Sequence, residues 1–337
     1  MSFDLEKINH PKIKFGKTGV LLVNLGTPDT TGWWDIRKYL KEFLSDRRVI
    51  ELNPIIWQII LNLFILTFRP SKTAHAYKKI WMNDINQSPL RYYTDSQAKK
   101  LKNKIGSNNI IVDFGMRYGN PSLKSKLDFL KKEGCEKIII FPLYPQYASA
   151  TTATVCDEVY RNLMDMRWQP GLQVIPHYES EPLFIDALVK SIKKKISEIK
   201  WKPDLIIASY HGIPKKYFTK GDPYHCYCHK TTRLMKEKFN EISIETTFQS
   251  RFGPQEWLQP YTDKTLEKLP KEGKKNVLVI CPGFSSDCVE TLEEMGIQGK
   301  ESFLESGGEN YDVIPCLNDN DDHIKMMEFI VKKYLIN

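Results

Sequence analysis

Three short words, each an apolar run closing on a Gly or Pro turn, occur twice in this chain in the same order. That repetition limits the fold more than any other feature. Residues 24–28 (NLGTP) resemble 210–214 (YHGIP), 116–121 (MRYGNP) resemble 250–254 (SRFGP), and 137–142 (KIIIFP) resemble 276–282 (NVLVICP). Supersecondary units repeated in fixed order predict two similar lobes, roughly residues 17–180 and 181–320, facing each other across a cleft. A C-terminal helix is expected over 321–337, and 337 residues leave room for both lobes.

The runs at 19–25, 109–114, 137–141, 205–208 and 277–280 are rich in Val and Ile and continuously apolar rather than alternating. Such strands are buried on both faces, which requires a parallel sheet covered by helices. Helical patterns between them, at 122–132, 183–199 and 230–240, complete the alternation. The expected fold is therefore α/β, two Rossmann-like lobes with parallel sheets flanked by helices.

The lobes are unequal. From Gly26 to Gly119 is 93 residues, against 41 from Gly212 to Gly253, so the first lobe carries an insertion of about 50 residues. Inside it, residues 55–68 form an apolar stretch of fourteen broken only by Gln58, Asn62 and Thr67. As a helix it would reach about 21 Å, short of the roughly 30 Å hydrocarbon core, so it is not expected to span a bilayer. On an α-helix Gln58, Asn62 and Arg69 fall on one narrow polar stripe. Two readings follow: a buried core helix, or an apolar lip at the cleft mouth that touches a membrane or a flat apolar substrate.

Lys plus Arg exceed Asp plus Glu, 49 to 41, and the net charge of +8 suits nucleic acid, an anionic membrane or an acidic small molecule. The basic clusters at 193–195 and 271–275 read as solvated surface, and no aromatic-interleaved RNA motif accompanies them, so nucleic acid drops out. Seven cysteines, and mixed charge without an apolar segment over residues 1–12, indicate thiols in a reducing cytoplasm. Gly-x-Gly-x-x-Gly after a strand, a P-loop, Gly-x-Ser-x-Gly and His-Glu-x-x-His are all missing from the sequence, which weakens the common α/β enzyme classes.

Three constellations carry chemistry. His211 directly follows an apolar strand and precedes Gly212 and Pro214; residues at the carboxyl ends of parallel strands point into the ligand crevice. Asp287, Glu290, Glu294 and Gln298, spaced by 3, 4 and 4, would share one α-helical face, where like charges need solvent, protons or a cation between them. A metal-ion or proton path is one resolution, and ordinary first-turn dipole partners are the other. Residues 225–229 (HCYCH) are dense in ligand atoms but lack structural-zinc spacing and a second Cys pair.

With these residues in view, the chain resembles the ferrochelatases, which insert Fe(II) into protoporphyrin IX to make protohaem. The resemblance runs from about residue 18 to 334 through LLVNLGTPD (21–29), FLSDRRVIE (43–51), SPL (88–90), MRYGNPS (116–122), PLYPQY (142–147), SYHGIP (209–214), GDPY (221–224), TFQSRFGPQEWLQPYTD (247–263) and CPGFSSDCVETLEE (281–294). It is most similar to the proteobacterial, cluster-free branch. It implies the chelatase fold, with a porphyrin cleft between two four-stranded parallel lobes. It also implies that His211 faces the macrocycle, that Glu290 is the carboxylate across from it, and that both serve as catalytic and metal-binding groups. Asp287, Glu294 and Gln298 would line a proton or metal path behind Glu290. Arg69, Ser88 and Trp257 would lie near the porphyrin edge and its propionates, and Leu25, Arg117 and Tyr118 would line the pocket.

The resemblance further implies that Fe(II) is a substrate and that no cofactor is required. Ser149 stands where cluster-bearing relatives have cysteine, so no [2Fe-2S] cluster is expected, and Cys288 replaces a histidine seen in many relatives. Leu25, in place of the tyrosine of the coproporphyrin-using branch, favours protoporphyrin IX. The implied location is cytoplasmic, with peripheral contact at the inner membrane surface through residues 55–68. The competing readings are a chelatase that loads cobalt or nickel into another tetrapyrrole, and a non-catalytic protein that sequesters haem or iron.

Overall fold

The structure, a computed structural model, describes residues 13–335; the reading of residues 1–12 lies outside them. Eight strands form two sheets. In the first, β1 (Lys17–Thr27), β2 (Ile110–Gly119), β3 (Cys135–Pro142) and β4 (Gly171–Val174) lie in the order β2-β1-β3-β4. In the second, β5 (Leu205–His211), β6 (Ile244–Gln249), β7 (Asn276–Ile280) and β8 (Asn310–Val313) repeat that order as β6-β5-β7-β8. All pairings are parallel.

The burial pattern explains why the strands read as unbroken apolar runs. Val20 and Leu22 belong to one core while Leu21 and Val23 belong to another on the opposite face of the sheet. The second sheet does the same, with Ile206 and Ala208 on one side and Leu205 and Ile207 on the other. One core is common to both sheets: Val20, Leu22, Ile139 and Phe141 share it with Ile206, Ala208, Leu278 and Ile280. The helices that follow the two sheets, Pro182–Glu198 and Asp321–Leu335, bury Leu188, Ile192, Met327 and Ile330 in it. The lobes are thus packed on each other through apolar surface, which fixes how their strand ends face.

Hydrogen bonding corrects one of the three repeated words. The amide of Met116 donates to Pro121 O at 2.7 Å, and that of Phe248 donates to Pro260 O at 2.8 Å. Parallel bridges join Met116 to Ser122 and Phe248 to Tyr261. The structural counterparts are therefore Arg117 with Gln249 and Tyr118 with Ser250, not Arg117 with Arg251. The second connection takes twelve positions where the first takes five, and a longer loop displaced the Arg-aromatic-Gly word without changing the strand register.

Glycine is required at the equivalent points of β1 and β5. Gly26 has φ of +113°, and a Cβ there would meet Tyr118 O at 1.8 Å. At Gly212 a Cβ would meet Gln249 O at 2.9 Å. In both lobes the neighbouring strand's carbonyl occupies the space a side chain would need. The residues just before these glycines, Leu25 and His211, are consequently counterparts.

The insertion in the first lobe holds the helix Trp33–Leu44 and a continuous helix Pro54–Ile80. The second is 27 residues, about 40 Å, nearly twice the expected length, so the length argument against a membrane span does not hold. Packing constrains it instead. Trp57, Leu61, Leu66, Ala74 and Tyr77 are buried with Ile36, Tyr39, Leu40 and Leu44, which commits one face to the protein core. The other face leaves Ile55 and Phe68 about three-quarters exposed (74% and 73%), with Ile56, Ile59, Leu63 and Phe64 between them. One helix therefore packs into the core on one face and leaves apolar side chains in solvent on the other. The expected polar stripe is broken by a π turn in which the Leu66 amide donates to Leu61 O, five residues back. Gln58 donates to Ser45 Oγ at 3.2 Å and Asn62 to Gln58 O at 2.7 Å, while the Arg69 guanidinium lies 5.2 Å from the Phe252 ring centroid.

Candidate active site

His211 is the last residue of β5, half-buried, with Nδ1 2.6 Å from Gly212 O. A carbonyl oxygen only accepts, so Nδ1 carries the proton and Nε2 presents a lone pair. Its register partner is Gln249 at the end of β6. The Gln249 amide, 3% exposed, joins the strand ends to the acidic helix: Oε1 accepts from Ser209 Oγ at 2.6 Å, and Nε2 donates to Glu290 O at 2.9 Å and Glu294 Oε2 at 3.4 Å. Ser250 follows at φ of +66°, an unusual conformation for a residue with a Cβ. That turn aims its amide at Glu294 Oε1 (2.7 Å) and its hydroxyl at Oε2.

The acidic segment departs from its expected geometry. Glu290–Gly299 is π-helical, so residues five apart stack. Gln298, exposed, accordingly donates to Glu293 Oε2 at 2.7 Å, and Lys79 holds the other Glu293 oxygen at 3.0 Å. Asp287 sits in a closed buried set, accepting from Asn318 Nδ2 at 2.6 Å, Thr291 Oγ1 at 3.0 Å and the Cys316 amide at 3.2 Å. The single face of four expected from α-helical spacing is thereby divided, because the period changed. Glu290 and Glu294 remain as neighbours. Burial raises the Glu294 pKa above the ordinary carboxylate range, Ser250 and His211 pull it down, and the charge of Glu290 pushes it up again. The Cys288 thiol is also raised, by burial and then by Glu290, which keeps it protonated.

The first lobe supplies the facing groups. Burial raises the Tyr39 and Tyr77 hydroxyls and lowers the Arg69 guanidinium, and the charge of Glu290 reaches all three. Arg69 has no ion-pair partner among the described residues. Trp257, 5% exposed, donates from Nε1 to Phe252 O at 3.0 Å, with ring centroids 5.3 Å apart. Leu25 is half-buried at the end of β1.

Three residues expected at the pocket have their polar groups engaged elsewhere. Arg117 contacts Asp46 at 2.5 Å and Thr154 O at 2.9 Å, and its guanidinium lies 4.3 Å from the Tyr118 ring centroid. Tyr118 is fully buried and donates to the same Asp46 oxygen at 2.9 Å. Ser88, 1% exposed, caps the helix Pro89–Ile105 by accepting from the Arg91 amide at 3.3 Å. Motif reading links such residues to the substrate, but a buried guanidinium needs a carboxylate, and Asp46 lies in a different word of the sequence.

Sequence reading missed Gln249, Ser250 and Gln97. Gln97 Nε2 lies within hydrogen-bond reach of Ser286 Oγ (3.0 Å), Ser285 O (3.2 Å) and Asn318 O (2.8 Å), tying the first lobe to the loop that starts the acidic helix. Gln249 and Ser250 stand in the word 247–263, which carried the resemblance without a role for either residue, and Gln97 lies in no segment that the sequence singled out. The HCYCH word is split by the helix Tyr224–Lys238, with Cys228 buried and Cys226 exposed, and all seven cysteines are free.

A sequence profile of the family described as Ferrochelatase matches residues 17–335. The chain is 54% identical over 329 residues to a ferrochelatase of Allorhizobium ampelinum, covering 97% of this chain and 96% of that one. It is 53% identical over 329 residues to one of Rhizobium meliloti, with 97% of each covered. Among solved structures, the sirohydrochlorin chelatase SirB of Bacillus subtilis subspecies spizizenii with cobalt superposes at a TM-score of 0.53 and 10% identity, covering 94% of both chains. CbiX, described as the terminal enzyme of siroheme biosynthesis in denitrifying bacteria, gives 0.52 and 12%, covering 94% of this chain and 98% of that one. At such identities these structures bear on the fold alone.

Proposed function

This chain belongs to the ferrochelatase family, and from that premise we propose how its strand ends carry out the reaction. It is a lyase that inserts Fe(II) into protoporphyrin IX, releasing two protons to form protohaem. Two pyrrole N–H protons must leave as the dication enters, and a flat macrocycle keeps its lone pairs in the ring plane. Binding energy that saddles the ring turns those lone pairs toward the metal.

His211 accepts the two pyrrole protons one after the other on Nε2, passing each to Glu294, which releases it to solvent before the next; iron reaches the ring past Glu290. The observation that carries this reading is the Nδ1–H bond to Gly212 O, which leaves Nε2 as a base beside a carboxylate of raised proton affinity. Arg69, without a carboxylate partner among the described residues, holds a porphyrin propionate, and Leu25 and Trp257 offer apolar surface to the ring. Ser88, Arg117 and Tyr118 act one layer further out, by holding the walls. Asp287 sets the start of the acidic helix, and Gln298 supports its outer end. Leu25 also favours protoporphyrin IX over a more carboxylated porphyrin.

The test is anaerobic insertion of Fe(II) followed by absorbance, with porphyrin binding measured separately. His211→Ala should lower turnover by about 10²- to 10⁴-fold while porphyrin still binds. Near-normal turnover in that variant would remove His211 from the chemistry.

No resident cofactor is required on this reading, and no [2Fe-2S] cluster; iron and acid-labile sulfide analysis of the purified protein checks this. The exposed face of the helix Pro54–Ile80 rests on an anionic membrane surface, giving a cytoplasmic protein with peripheral attachment at the inner membrane. Support comes from the six exposed apolar side chains between Ile55 and Phe68 together with the net charge of +8. Co-sedimentation with anionic vesicles should fall when Ile59, Leu63 and Phe64 are replaced by Ser; equal sedimentation would refute the contact.

A further inference from the structure

We propose that His225 and His229 form a two-imidazole site for a borderline divalent cation such as Zn(II), on the face of the second sheet opposite the iron-insertion site. The two residues sit one turn apart on the 15-residue helix Tyr224–Lys238, the i,i+4 spacing that lets two imidazoles share a metal. Their ring centroids are 4.4 Å apart with planes inclined at 50°. Two imidazoles bound to Zn(II) at about 2.0–2.1 Å, with a ligand angle between square and tetrahedral, would have centroids roughly 4.5–5.2 Å apart. The observed pair is within a few tenths of an ångström of that range, before any ion draws the rings into place.

The surroundings favour a metal over a hydrogen-bonding role. No protein group among the described residues hydrogen-bonds to either ring. Phe218 lies 5.0 Å and Phe248 5.8 Å from His225, and Phe248 lies 6.1 Å from His229, so an aromatic wall restricts the rings on one side. Burial lowers the pKa of both imidazoles, and in His229 the neighbouring charge of His225 adds to it, which leaves lone pairs free at neutral pH. The cysteines of the same word stay out. Cys228 is fully buried with its thiol raised by burial, and Cys226, the next position round the helix from His225, is exposed. A donor set of imidazole nitrogens completed by water selects Zn(II), Cu(II) or Ni(II) over Mg(II) or Ca(II). Phe248 and Gln249 are successive residues of β6 and so face opposite sides of the sheet. The pair therefore stands apart from Glu290 and Glu294 and does not depend on the roles assigned to them.

Zn(II) uptake by the full chain, measured at pH 7.5 by competition with a chromophoric chelator, tests the site. The parent should bind one equivalent more than His225→Ala, His229→Gln or the double variant. Each single change should weaken that equivalent at least tenfold, because half a chelate is lost. Any Zn(II) held near Glu290 is common to all four proteins and cancels, and the extra equivalent should persist in a Glu290→Gln background. Of the two, His229 is the more exposed, so His229→Gln keeps the test valid if His225→Ala folds poorly. Equal uptake by the parent and His229→Gln, or loss of the equivalent in Glu290→Gln, would overturn the proposal.

Discussion

The ends of β1 and β2 and the ends of β5 and β6 are the same corner built twice, yet their polar groups are used in opposite ways. In the first lobe Arg117, the counterpart of Gln249, is saturated: Asp46, Thr154 O and the Tyr118 ring satisfy it, and Tyr118 shares the same carboxylate. In the second lobe the charges are not balanced within the corner. Glu294 keeps a raised pKa despite two donors from Ser250, Glu290 adds like charge, and His211 offers a free nitrogen. A duplicated scaffold lets one copy keep its charges neutralised for stability while the other holds them out of balance, which is what proton transfer requires.

That contrast can be broken in order of expected effect. Arg117→Ala leaves Asp46 buried without its partner and should lose about 3–5 kcal/mol of stability in urea unfolding, while the folded fraction keeps its turnover within about threefold. A large loss of turnover with stability retained would mean that the first corner is chemical after all. His323, fully buried on the C-terminal helix Asp321–Leu335, sharpens the comparison as a titrating group outside both corners. Burial pushes its pKa down to about 4, and its Nδ1 donates to Asn318 O at 2.6 Å. The unfolded chain takes up a proton near pH 6.5 while the folded chain does not, so this stability is present above pH 6.5 and lost as pH falls toward 4. The loss is up to about 3 kcal/mol. His323→Gln should flatten the slope over that window, and parallel slopes for the two proteins would contradict the assignment.

Gln249→Leu should lower kcat by roughly 30-fold, about 2 kcal/mol, with little change in KM, since Gln249 is hydrogen-bonded to Glu290 O and Glu294 Oε2. An unchanged kcat would show that the join to the acidic helix is dispensable. The smallest effect belongs to Glu294→Gln. Because the raised pKa keeps Glu294 protonated to higher pH, activity in the parent should rise as pH passes through it. The variant should lose that limb and about tenfold in kcat/KM above it. A parent-like pH profile in Glu294→Gln would move the proton acceptor elsewhere.

Much of this molecule is legible along the chain. Continuous Val- and Ile-rich runs require strands buried on both faces, the ordered repeat requires two like sheets, and a histidine after an apolar strand and before glycine lies at the carboxyl end of that strand. Those inferences rest on period and turn chemistry, which are local. What the tertiary structure alone decided is which polar groups are already paired and which remain available. Asp46 and Arg117 are 71 residues apart and Asp287 and Asn318 are 31 apart, so no spacing reveals that each answers the other. The π-helical turn that sends Gln298 to Glu293, and the packing that leaves Phe68 in solvent while Leu66 is buried, likewise depend on what lies against the helix. Desolvation and pairing are properties of surroundings, and the chain acquires surroundings only when it folds.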